Sequence, residues 1–122
     1  MANQPLQDTF KLPYFATELD ADGNQAMDPG DSVAVTTDDT AKATVAPDAT
    51  VDPAKVPSGT DATKVLQTGF LVGGSKLGTV NVTATFSHTD GTAAPPPISV
   101  AVDILSGPPV TGGFGFGTAV PQ

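Results

Sequence analysis

A chain of 122 residues, 39% hydrophobic and 15% charged, is long enough to bury one modest core and too short for several. Its formal net charge of −8, with five scattered lysines and no arginine, excludes the basic footprint that nucleic-acid binding requires. There is no cysteine to form a disulfide, and 13 glycines and 12 prolines leave few windows for a long helix. The acidity instead keeps copies soluble and apart until specific contacts form.

Residues 1–9 are polar and patternless and read as an N-terminal arm. They lack the basic and apolar regions of a signal peptide, and nothing in the chain reaches the length of a membrane span. Synthesis in the cytoplasm of the producing cell is expected, without membrane insertion. Lys11 to Leu19 reads as a strand through Leu12, Tyr14, Phe15 and Leu19, with Pro13 placing it at a sheet edge. Ser32 to Thr37 alternates through Val33 and Val35, and a short strand centres on Val45. A surface loop is expected between Pro47 and Asp61. Lys64 to Val72 ends in an apolar run, Phe70-Leu71-Val72, with Gly69 marking a bulge.

The clearest elements lie late. From Thr79 to Ser87, Val80, Val82, Ala84 and Phe86 face one way and polar residues the other. From Ile98 to Ile104 the same period places Ile98, Val100, Val102 and Ile104 inward. These two strands are expected to pair antiparallel across a loop that carries Asp90-Gly91 and a proline run. The tail, residues 106–122, is too rich in glycine and proline for a helix. Its Phe114 and Phe116 are two of only seven aromatic residues, spaced by glycine on an arm, and read as anchors for a partner's groove with Val110 and Val120 in support.

Several segments carry a resemblance to the bacterial Ig-like domains of the Big_2 type over roughly residues 10–105. They are Phe15-Ala-Thr-Glu-Leu-Asp-Ala-Asp-Gly-Asn24, Val33-Ala-Val-Thr-Thr-Asp-Asp-Thr-Ala-Lys-Ala-Thr-Val45, Leu77-Gly-Thr-Val-Asn-Val-Thr-Ala84 and Ser99-Val-Ala-Val-Asp-Ile104. The middle segment of that family carries a buried Trp, and here Val35 stands nearest that position. The resemblance implies an all-β, immunoglobulin-like Greek-key sandwich of about seven short antiparallel strands, flanked by the two arms.

Candidate chemistry is sparse. Asp20-Ala-Asp-Gly-Asn24, with Asp28 and Asp31 nearby, gathers oxygens of the kind calcium takes, so Asp20, Asp22 and Asn24 are the calcium candidates. The spacing is not that of an EF-hand, and a β-turn accounts for the same residues, so no cofactor is expected. Gly69 to Lys76 mimics a phosphate loop, but Ser75 and Lys76 stand in the wrong order and no helix follows. Asp38-Asp39 is a paired-carboxylate candidate with no apolar surroundings to raise one pKa. His88, the sole histidine, has neither a cysteine nor a second histidine for a transition-metal site or a catalytic triad. No catalytic residue is expected.

A short Ig-like chain with no export signal resembles the accessory proteins that tailed phages place on their shells. The expected function is a non-enzymatic capsid decoration protein of the virion, binding the major capsid protein and copies of itself in a multi-copy array. The alternative is an Ig-like module of a bacterial surface adhesin or polymer-binding protein.

Overall fold

The structure, a computed structural model, describes residues 3–8, 10–107, 112 and 114–122. Seven strands form two layers: β1 (Gln4–Gln7), β2 (Lys11–Thr17), β3 (Ser32–Thr37), β4 (Ala43–Pro47), β5 (Val65–Gly73), β6 (Gly78–Ser87) and β7 (Ile98–Leu105). One sheet has the order β1-β7-β6-β3 and the other β2-β5-β4. The result is an all-β sandwich. The chain changes sheet between β1 and β2, β2 and β3, β3 and β4, and β5 and β6, while β4–β5 and β6–β7 are antiparallel neighbours.

The strong alternation of β6 is realised at both ends: Val80 and Phe86 are buried, and Val82 and Ala84 lie half-buried between them. β6 pairs antiparallel with β7 from Gly78↔Ile104 to Ala84↔Ile98, as the two matched periods predict. The core gathers Leu6, Ala43, Leu71, Val80, Val102 and Ile104, drawn from both sheets. Pro13 sits on β2, an edge strand, where its missing amide interrupts no ladder.

Four expectations need correction. Residues 4–7 of the supposed N-terminal arm are β1, which pairs with β7 from Gln4↔Val102 to Gln7↔Leu105. Leu6 is its one buried side chain, and a single apolar residue creates no period to detect. That pairing is parallel, so the sheets are not antiparallel throughout. Gly69 is no bulge: it pairs with Tyr14 on one side and Pro47 on the other, and the register shift lies at Ala16/Thr17. A Cβ on Gly69 would stand 2.7 Å from the Tyr14 ring and hydroxyl, which explains the glycine. The inward face of β7 is buried in its second half alone: Ile104 is 1% exposed, whereas Ile98 and Val100 are 56% and 51% exposed.

The reason lies at the sheet edge. β1 spans four residues and covers β7 from Val102 onward, so the outer edge at 98–101 has no strand beside it among the described residues. Behind it the sheets stand apart around an open apolar cavity of about 490 Å³, lined by Leu12, Phe15, Val35, Val82, Ala84 and Val100 among others. Val35 and Ala84 are too small to fill it.

The loop after β4 is anchored by Thr68, 1% exposed on β5. Its hydroxyl accepts from the Asp52 amide and donates to Asp48 Oδ2, both at 2.8 Å. Lys55 Nζ pairs with Asp48 at 2.7 Å and lies 3.8 Å from the Phe70 ring centroid, where ring and carboxylate share its charge. Asp52 caps the 3-10 turn Pro53–Lys55 through the Ala54 amide.

Candidate functional site

Two regions carry chemistry beyond packing. The first is the tail with the open cavity. Phe114 and Phe116 are 90% and 91% exposed, stacked edge-to-face with centroids 5.2 Å apart, and Val120 is 80% exposed. Val110, expected to support them, lies outside the described residues. Residues 106–122 contain no charged side chain, and neither does the lining of the cavity. In a chain of net charge −8, these two surfaces can meet on a second copy without forcing like charges together.

The second region lies at one end of the sandwich. Glu18 follows β2, Asp31 precedes β3 and His88 follows β6. Pairing of Ser32 with Ser87 brings Asp31 and His88 side by side, and Glu18 reaches them from the other sheet. His88 Nε2 lies 2.6 Å from Glu18 Oε2 and 3.5 Å from Asp31 Oδ2. The side chains of Glu18, Asp31 and His88 are 4%, 3% and 12% exposed. Burial, reinforced by the Asp31 carboxylate, pushes the Glu18 pKa up against the lowering effect of its bond to His88. The hydrogen bond to Glu18 holds the His88 pKa above its ordinary value, with Asp31 adding to the effect.

The remaining sequence candidates are engaged in local structure. Asp20 Oδ1 accepts from the amides of Asp22 and Asn24, and Gly23 takes φ +82°, so the proposed calcium residues Asp20, Asp22 and Asn24 build a turn. Asp38 accepts from the amide and side chain of Asn81. Asp39 caps the Ala41 amide and pairs with Lys42 and Lys76. Backbone and side-chain donors hold both acids below the usual carboxylate range, the opposite of the raised pKa that a proton-sharing dyad needs. Gly69 to Lys76 is the end of β5 and the turn into β6, not a phosphate loop.

Sequence reading named His88 and Asp31 but passed over Glu18, and did not bring the three together. Glu18 and His88 are 70 residues apart, and no local spacing links them. One signal was available: they are the only glutamate and the only histidine of the chain. No family model, curated protein or solved structure matches this chain.

Proposed function

We propose that this chain is a non-enzymatic, immunoglobulin-like structural protein that decorates the capsid of a tailed phage in many copies, each held by its tail. The observation that carries the reading is the exposure of Phe114 and Phe116, at 90% and 91%, on an uncharged segment. Two aromatic rings left in water contribute nothing to a lone domain and much to a contact that buries them. The strand order β1-β7-β6-β3 over β2-β5-β4, with its four changes of sheet, supports the immunoglobulin-like part of the reading. The tail of one copy enters the apolar cavity of the next, beside the open edge of β7 at 98–101, and the same tail engages the capsid protein at the boundary of the array. Repetition makes each further contact effectively intramolecular.

Sedimentation of the full chain and of a variant ending at Leu105 tests this. The full chain is expected to associate with increasing concentration, while the shortened chain keeps its β-rich circular dichroism spectrum and stays monomeric. Equal association of the two overturns the tail-mediated reading. A shortened chain that melts earlier shows the tail seated in its own cavity, which also overturns it. Capsid and tail genes beside the coding sequence are expected, and a long surface-protein frame there would refute the virion setting.

A further inference from the structure

We propose that Glu18, Asp31 and His88 form a binding site for a divalent transition cation of the zinc type, which ties the two sheets together. One ligand-capable atom from each of the three side chains lies within 4.8 Å of those of the other two. In a tetrahedral shell with bonds of 2.0–2.1 Å, ligand atoms stand ~3.3 Å apart, so the 2.6 Å separation of His88 and Glu18 would widen and the longest separation, at most 4.8 Å, would shorten by up to about 1.5 Å.

The histidine is preset for the task. Thr92 Oγ1 donates its only proton to Asp90 Oδ1 at 2.6 Å. Toward His88 Nδ1, 2.9 Å away, Thr92 can therefore act only as an acceptor. Nδ1 must carry a proton, which leaves Nε2 as the nitrogen aimed at Glu18 and Asp31. A partner on the outer nitrogen that fixes the tautomer is the usual support of a metal-ligating histidine.

The carboxylates lack partners for what they bury. Glu18 Oε1 and Asp31 Oδ1 are buried and accept no hydrogen bond among the described residues. Asp31 Oδ2 accepts from the Asp28 amide, and among the described residues the salt bridges of both acids run to His88 alone. Two buried acids beside one imidazole leave either an uncompensated negative charge or a proton held on one acid, and an uncompensated charge is costly in a dry interior. A doubly charged cation cancels both acids and accepts the Nε2 lone pair. One imidazole and two carboxylates is a ligand set that zinc takes, with a solvent molecule completing the shell on the exposed side of His88. Glu18 belongs to the sheet of β2, and Asp31 and His88 to that of β3 and β6, so the ion would cross-link the layers in a chain that has no disulfide.

The test uses the full chain, stripped with EDTA and dialysed into chelator-free buffer. Calorimetric titration with zinc chloride is expected to give one site per chain. Zinc at 100 times its Kd is expected to shift the unfolding equilibrium about 100-fold toward the folded state, raising Tm. Glu18→Gln, Asp31→Asn and His88→Gln are each expected to lose the site, while Asp20→Ala in the exposed turn keeps it. In case those variants fold poorly, nitrogen NMR of the histidine in the unaltered chain reads the same event, since zinc must displace the Nε2 resonance and spare Nδ1. Absence of one-to-one binding, an unmoved Nε2 resonance, or binding that survives in His88→Gln and disappears in Asp20→Ala would each overturn the proposal.

Discussion

Ile98 and Ile104 lie six residues apart on one face of β7 and are indistinguishable by period, so alanine at each position tests the half-open sandwich directly. Replacing Ile104 removes three buried carbons, about 2.4 kcal/mol at about 0.8 kcal/mol each. A residual void of ~40 Å³ adds about 1 kcal/mol, for a total near 3 kcal/mol. With an unfolding entropy of about 2.1 cal/mol/K per residue, that lowers Tm by roughly 12 °C in a chain of this size. Ile98 is 56% exposed and borders a cavity already open to solvent, so its truncation leaves no sealed void. Under half of the transfer energy is at stake there, about 1 kcal/mol and roughly 4 °C. The loss of strand propensity is common to both variants and cancels in the comparison. Scanning calorimetry at low protein concentration, where copies stay apart, measures both. Equal shifts would show that Ile98 is as buried as Ile104 and refute the open edge.

Three further outcomes follow from the same structure. Gly69→Ala places a methyl 2.6 Å from the Ala46 carbonyl and 2.7 Å from the Tyr14 hydroxyl, and is expected to cost about 1–3 kcal/mol by chemical denaturation while displacing Tyr14 from its 2.6 Å bond to Gln67. Val35→Trp fills the cavity from inside, so Tm should hold or rise while concentration-dependent association is lost in sedimentation; association at the native level would remove the cavity from the assembly scheme. Asp48, held below the usual aspartate range by its bonds to Lys55 and Thr68, contributes stability above that range and loses it as pH falls through its lowered value. Melting followed from about pH 5 to about pH 2 should therefore show the penalty of Asp48→Asn shrinking toward zero, whereas a constant penalty would mean that the charge is irrelevant.

The elements legible in the sequence were those with enough residues to display a period. β6 and β7 could be placed and paired because each alternates over seven or more positions. β1 could not, since four residues with one buried leucine carry no repeat, and its partner is 98 positions away. Register is a property of two strands together, so the depth of burial along β7 depended on how far β1 reaches, and β7's own residues do not record that. The exposure of Phe114 and Phe116 was foreseeable because a glycine-spaced pair on a Gly/Pro-rich tail has no helix or strand to bury it. The meeting of Glu18 with His88 was not, because the three loop ends are brought together by the pairing of β3 with β6 and the crossing of β2, which are facts of topology.

The side-by-side course of β1 and β7 has a mechanical consequence. Both strands run the same way, with Gln4 beside Val102 and Gln7 beside Leu105. The preceding chain leaves from one end of this pair and the following chain from the other, so tension applied through the termini drags the strands lengthwise past each other. Their ladder bonds, the Asn3–Asp103 bond and the bond from the Asp8 amide to Leu105 then bear the load at once instead of parting in succession. A molecule roped in this manner resists pulling far better than its modest core suggests.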